Sequence, residues 1–455
     1  PLIGWDLRDG EMTPTVVKNA ACTYCGCVCD DIELHTEGRR IVRATHACTL
    51  GRAWFHNHPE NTCQPAALVD GREATMQNAF DAAAEILARA DLPLVYGLGD
   101  STSESQQAAI LLTEELGGVI DSHTSLTHGP SKIGAQLVGK VTCTLGEVRN
   151  RADLVIYWGS NPVETHPRHL KKYAFTPKGR YVPRGRYGRT MVVVDVRETL
   201  SARAADVFLQ IRQGTDFELV TVLRALLHDR PFDASLVEAC GVSIADLTRL
   251  IERMKRARFG VNFYGTGLTQ TRGRHMNVAA VLSLTASLNE FTKFVAMPMR
   301  DHGNEAGIDN VLSWVAGYPF GVDYTRGYPR SNPGEFTAVD LLARRDADAA
   351  LIVAADPWTT MPQAAIDHLE RIPHVVIDRA RACRRASARV HFTAATPGID
   401  SAGTAYRMDK VPLPIRAAVG AAYATDEDIL LGIYEAVRGS QTRISPRPGT
   451  HESPL

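Results

Sequence analysis

Three cysteines crowd one short loop, Cys22-x2-Cys25-x3-Cys29, and a fourth, Cys48, follows 19 residues later. Four thiolates drawn together in this way can hold a [4Fe–4S] cluster. They can also hold zinc as an all-thiolate tetrahedral site, although structural zinc usually joins two pairs of close cysteines. A third reading keeps them only as small apolar side chains packed in a core, a relic of a cluster-binding ancestor. Cys27 and Cys63 fall outside the four-residue pattern and read as packed thiols. Cys143, Cys240 and Cys383 stand alone and carry no signal. Six of the nine cysteines lie in the first 63 residues, and in a reducing compartment such clustering suits metal ligation better than disulfides.

A second chemical feature is a pair of matched turns. Leu154–Trp158 is an apolar run that leads into Gly159-Ser160-Asn161-Pro162, and Ala349–Val353 leads into Ala354-Ala355-Asp356-Pro357. Both continue to a strand that ends in Asp, at Asp195 and Asp378, and from each Asp twelve positions lead to a further apolar residue, Val207 and Val390. Pro162 to Asp195 is 33 residues and Pro357 to Asp378 is 21. The difference fits one insertion, the basic loop around Lys178-Gly179-Arg180-Tyr181-Val182-Pro183-Arg184-Gly185-Arg186. An Asn-Pro or Asp-Pro can simply end a strand. Two at matched spacing point to two similar nucleotide-fold units, whose ligands lie at the carboxyl ends of the strands.

The elements that must position these residues alternate. Strand candidates at 93–98, 153–158, 190–194, 260–264, 349–354 and 374–377 are separated by helical patterns, such as the apolar face of 76–90. That alternation argues for an α/β fold with largely parallel sheets. The polar tail after about 440 reads as an extended arm or docking segment.

Length and charge bound the class. A chain of 455 residues suggests about three domains. With 50 basic against 51 acidic residues, nucleic-acid and anionic-membrane binding lack the basic excess they need. No apolar run is long enough to span a bilayer, and no signal-peptide pattern opens the chain. The expectation is a cytoplasmic protein whose initiator Met was removed before Pro1.

The strings themselves resemble a known family. Cys22-Thr-Tyr-Cys25-Gly-Cys-Val-Cys29-Asp-Asp-Ile with Ala47-Cys48-Thr-Leu-Gly51 is similar to the start of the B subunit of formylmethanofuran dehydrogenase, one of the molybdopterin oxidoreductases. The same holds for Trp158-Gly-Ser-Asn161-Pro-Val-Glu164-Thr-His166-Pro-Arg168-His169, Asp195-Val-Arg197-Glu-Thr199, Gly265-Thr-Gly267-Leu-Thr, Gly317-Tyr-Pro319 and Gly403-Thr-Ala-Tyr-Arg407-Met-Asp409. The resemblance implies two related Rossmann-like domains that clasp a bis-pterin guanine dinucleotide, plus a small N-terminal cysteine-rich domain. It places these at 1–70 (cysteine-rich), 71–125 with 292–402 (discontinuous nucleotide fold), 126–291 (inserted nucleotide fold) and 403–455 (C-terminal segment and tail). It also implies a former pterin site at Asn161, Glu164, His166, Asp195 and Asp378, all of which could equally serve as turn and capping residues.

One departure bears on function. Where the dehydrogenases carry a Cys or selenocysteine directly before His-Gly-Pro-Ser, as the ligand of tungsten or molybdenum, this chain has Thr127 before His128-Gly129-Pro130-Ser131. Such a metal wants a soft anionic donor, and a protonated hydroxyl is a poor one. His128 and Arg300 match the family's other active-site residues and are expected here as vestiges. The residue two places after the fourth cysteine, often Lys or Arg in molybdopterin enzymes, is Leu50.

The expectation is therefore a structural, non-catalytic B subunit like that of the bacterial formyltransferase/hydrolase complex. Its partners would be the A, C and D subunits, with a methanofuran-like carrier at the level of the complex. No cofactor is expected, a [4Fe–4S] cluster on Cys22, Cys25, Cys29 and Cys48 is the exception allowed, and a tungsten or molybdenum bis-pterin is disfavoured. The alternative is an active tungsten or molybdenum dehydrogenase. A third reading, a stand-alone zinc or nucleic-acid-binding protein using the basic loop at 178–189, fits the family strings poorly; such a loop is more often a solvated insertion.

Overall fold

The computed structural model describes residues 15–59, 64–380 and 387–441; Cys63, Cys383 and the tail after 441 lie outside them. Two parallel sheets form the body. The larger has nine strands, and its five central ones are parallel: Val119–Ser122, Pro93–Gly97, Ala349–Val353, His374–Arg379 and Val390–Ala394. The smaller is wholly parallel, in the order Val207–Gln210, Thr190–Asp195, Leu154–Trp158, Phe259–Tyr264 and Lys293–Pro298. Strands such as Leu154–Trp158 and Ala349–Val353 are buried at every residue. They read as unbroken apolar runs because helices cover both faces of a parallel sheet.

The two repeat copies share backbone detail as well as topology. Each first strand ends in a left-handed residue, Gly159 with φ 51° and Ala354 with φ 47°. Asn161 and Asp356 then adopt nearly the same conformation, φ −119° with ψ 69° and 80°, before a short helix that opens on proline. In both copies the second strand pairs with the first and the third with the second.

The sheet pairings shift the unit limits expected from sequence. Lys293–Pro298 pairs with Phe259–Tyr264, so the inserted unit runs past 291. Ala67–Val69 pairs antiparallel with Val390–Ala394, so the large sheet claims residues assigned to the cysteine-rich unit. Both are edge contributions from chain segments far apart in sequence, which local patterning does not encode. The cysteine-rich unit is a three-stranded antiparallel sheet, Thr15–Cys22, Cys29–Glu37 and Arg40–Thr45, followed by the helix Thr49–His56. At the other end of the chain, the helix Asp426–Gln441 packs on the helices Met76–Arg89 and Ser103–Leu116 of the large unit. No described helix is long and apolar enough to cross a membrane.

The basic insertion is docked on the domain. Arg189 is buried, and its guanidinium donates to the carbonyls of Val148, Arg149, Ala152 and Pro177. The first three close the helix Leu145–Arg151, whose last carbonyls lack partners within the helix. Arg186 stacks on Phe175 and pairs with Asp206 at 2.5 Å.

Candidate functional site

The cysteine loop is built by register. Cys22 ends one strand, Cys29 begins the next, and the two stand opposite each other in the hairpin. Between them Val28 takes φ 34°, a genuine outlier for a β-branched residue and the kind of strain that collects at functional sites. Cys48 caps the helix Thr49–His56, its Sγ accepting the Gly51 N–H at 3.3 Å. A helix N-terminus favours a thiolate over a thiol. Cys22, Cys25, Cys27, Cys29 and Cys48 line one enclosed cavity with His166 and Arg168. Gly51 closes it: a Cβ there would lie 3.1 Å from Cys22 Sγ and 3.7 Å from Cys48 Sγ.

The thiols differ in acidity. A hydrogen bond from Cys27 lowers Cys25 to about 6. Burial pushes Cys22 well up and Cys29 to about 12. Two cations stand beside Cys29, Arg168 and Lys172, held by Asp31 at 2.6 and 2.9 Å. Among the described residues no three His, Cys, Asp or Glu gather tightly enough for a single metal ion. Four thiols around one cavity, a glycine cradle and an N–H donated to sulfur fit the larger volume of a four-iron cluster. Cys22, Cys25, Cys29 and Cys48 would hold it.

This loop is pressed onto the residues that carry Arg300. The Gly26 N–H donates to Arg300 O at 3.1 Å, and a Cβ on Gly26 would meet that oxygen at 2.5 Å. His166 Nε2 donates to the same carbonyl at 2.6 Å. A Cβ on Gly303 would collide with Thr23 O.

Thr127, His128 and Arg300 come together in the core, all three buried. Thr127 Oγ1 donates to Glu305 Oε1 at 2.9 Å and to the His123 carbonyl at 3.1 Å. Arg300 Nη1 donates to the same Glu305 oxygen at 2.7 Å, and Nη2 pairs with Asp309. Lys132 completes the set, 2.5 Å from Asp309, and Thr124 donates to Asp309 at 2.7 Å. Although burial opposes ionisation, Arg300 holds the Glu305 carboxyl well below the usual range, with His128, His302 and His123 adding to the effect. Burial and Arg300 together lower His128 to about 4, so its ring is neutral; its Nε2 donates to Met299 O at 2.8 Å. Glu305, Asp309, Thr124 and Lys132 escaped the sequence reading. The one available signal was Glu305's place directly after the Arg300–Asn304 string.

Asn161, Glu164, His166 and Asp195 line a cavity of about 430 Å³ at the carboxyl ends of the smaller sheet. Asp378 is not among its lining residues. Asn161 Oδ1 accepts from Ser201 N and Oγ, Asp195 Oδ1 from Val196 N and Arg197 N, and Asp378 Oδ1 from Arg379 N, so these side chains also brace turns. Gly159, Gly265 and Gly267 let backbones meet at the mouth of this cavity: a Cβ on Gly265 would lie 2.6 Å from Gly159 O. His166 borders both this cavity and the cysteine cavity.

A tungsten or molybdenum ion does not fit what surrounds Thr127. The hydroxyl is a neutral donor already committed to Glu305, and no thiolate stands in its place.

Comparison with known proteins places the chain. No family model matches it. It is 42% identical over 410 residues to the B subunit of the tungsten-containing formylmethanofuran dehydrogenase 2 of Methanocaldococcus jannaschii, covering 89% of this chain and 94% of that one. With its namesake from Methanococcus maripaludis it is 38% identical over 412 residues, covering 89% and 94%. It is 26% identical over 386 residues to the B subunit of the formyltransferase/hydrolase complex of Methylorubrum extorquens, covering 84% and 98%. Among solved structures, that complex from Methylorubrum extorquens, with methylofuran, matches at a TM-score of 0.68 and 22% identity over 83% of this chain and 100% of the other. Acetylene hydratase from Pelobacter acetylenicus matches at 0.67 and 13% identity over 93% and 70%. The fold is therefore that of the molybdopterin oxidoreductases, and the chain belongs to the family of formylmethanofuran dehydrogenase B subunits.

Proposed function

We propose that this chain is a non-catalytic, structural B subunit of a formyltransferase/hydrolase complex. It would assemble with A, C and D subunits that convert formyl-tetrahydromethanopterin to formate through a methanofuran-like carrier. The observation that carries this reading is the environment of Thr127. Where a metal-binding dehydrogenase needs a free anionic donor, a hydroxyl is tied to Glu305, and the neighbouring Arg300 is paired with Glu305 and Asp309. A buried cation with both its forks engaged is closed to an incoming substrate carboxylate, since each paired group would have to be exposed and re-paired. Such a subunit persists because the surfaces it buries against its partners cannot be removed piecemeal.

An iron–sulfur cluster on Cys22, Cys25, Cys29 and Cys48 is compatible with this role. When bound, such a cluster supplies one-electron transfer and a four-point cross-link. The chain's own contribution is to hold the loop, through Gly26 and Gly303, against the segment that carries Arg300.

A second reading, an active tungsten or molybdenum dehydrogenase subunit, is favoured by the 42% identity to a tungsten-containing relative and by the retained four-cysteine cavity. Metal analysis of the native complex separates the two. The structural role expects neither tungsten nor molybdenum above trace; about one such atom per chain would overturn it in favour of the dehydrogenase.

A further inference from the structure

The twelve-residue insertion that distinguishes the first repeat copy from the second forms one wall of a surface groove of about 660 Å³. Arg149, Lys178, Arg180 and Arg407 line it, with Tyr173 and Pro183. No carboxylate is among the residues lining it. Arg407 is neutralised by two 2.8 Å contacts to buried Asp409. The side chains of Arg149, Lys178 and Arg180 have no ion pair among the described residues, and all three are exposed. In a chain with 50 basic and 51 acidic residues, three unpaired cations on one groove stand out from the composition.

The groove is built rigidly. Gly179 and Val182 exchange two backbone hydrogen bonds of 3.1 Å, which puts Arg180 and Tyr181 at the tip of a two-residue turn. Gly179 sits flush on the helix Leu145–Arg151, where a Cβ would collide with Arg149 O. Asn150 holds the turn by accepting from Arg180 N and Tyr181 N. Arg189, buried below, pins the same helix to the insertion. Tyr181 and Tyr187 are 55% and 83% exposed on this loop, and Arg and Tyr side by side are the residue types that dominate protein interfaces.

We propose that this groove docks an acidic, carboxylate-rich peptide segment of a partner protein. Guanidinium forks match carboxylates in geometry, and a preformed turn avoids the ordering cost of a loose basic loop. A nucleic acid is disfavoured because specific nucleic-acid interfaces cover on the order of 1,000 Å² or more of strongly basic surface. This chain is neutral overall and its free cations here are few.

The test uses the full chain, a fluorescein-labelled hexaglutamate peptide and a labelled hexathymidylate, with binding followed by anisotropy at low salt. The peptide is expected to bind more tightly than the oligonucleotide. The double variant Lys178→Ala/Arg180→Ala is expected to weaken it by about tenfold, as each exposed ion pair contributes a few-fold. Arg224→Ala/Arg230→Ala, which removes equal charge from another face, should leave binding unchanged. Absence of peptide binding, equal losses in the two double variants, or tighter binding of the oligonucleotide would each overturn the proposal. Both variants alter exposed side chains, and matched melting curves verify that each is folded.

Discussion

Replacing Glu305 by Gln tests the buried network directly. The Arg300–Glu305 pair is 2.7 Å long, between side chains 2% and 0% exposed. Removing one member of such a pair costs about 3–5 kcal/mol, because the other charge stays buried. Arg300 keeps Asp309 as a partner, and the Gln carbonyl can still accept from Thr127 and Arg300, so the lower end applies, about 3 kcal/mol. At about 1.4 kcal/mol per factor of ten, that is roughly a hundredfold.

The assay is hydrogen exchange of the amides in the helix Glu305–Ala316, compared between wild type and variant; protection should fall by about a hundredfold at pH 7. The pH dependence gives a second reading. The folded carboxyl titrates below its ordinary value, so its contribution is complete above the unfolded value of about 4.3 and is lost as pH falls through the folded one. The difference between wild type and variant should hold steady from pH 7 to about 5 and shrink below about 4. A difference under about 0.5 kcal/mol at pH 7, within the range of ordinary surface substitutions, or one that widens on acidification, would refute the account of Glu305 as the anion that satisfies Arg300. Thr127→Val removes the other donor to the same oxygen and should cost about 1.5–3 kcal/mol. Because both substitutions act on one network, their effects should not add.

Three further outcomes follow from the geometry. Asp100, 3.0 Å away, raises His302 to about 9 against the opposing effect of burial; the stability this pair provides should be full below about pH 6.5 and lost as pH rises through 9, so melting curves of His302→Gln and wild type should converge above that pH. Gly26→Ala places a methyl 2.5 Å from Arg300 O and should destabilise by about 1–3 kcal/mol, read as a lowered melting temperature with the cysteine loop made sensitive to protease. If anaerobically purified protein carries iron, Cys→Ser at 22, 25, 29 or 48 should each lower iron content and visible absorption, whereas Cys27→Ser should retain both; equal loss at Cys27 would contradict the four-ligand assignment.

Much of this molecule was legible in its residues. The buried strands read as unbroken apolar runs because parallel sheets are covered on both faces. The repeat could be read because each copy encodes its own strand, left-handed turn and proline-started helix locally. Thr127 and the cysteine spacing needed no structure to be noticed, since chemistry depends on which atoms a side chain carries. Tertiary structure alone decided what those atoms meet. Thr127 and Glu305 are 178 residues apart, and Gly26 and Arg300 are further apart still. Strand crossovers and the clasp of the cysteine loop bring them together, and nothing in local patterning encodes such pairings. The same holds for Lys293–Pro298 joining the smaller sheet and for Arg189 fastening a loop that composition alone would leave in solvent. The sequence thus named the family and the missing thiolate by itself. Only the fold determined that the position of that thiolate is closed by a carboxylate held between a hydroxyl and an arginine, because a buried charge is tolerable only where the chain delivers its partner to within hydrogen-bonding distance.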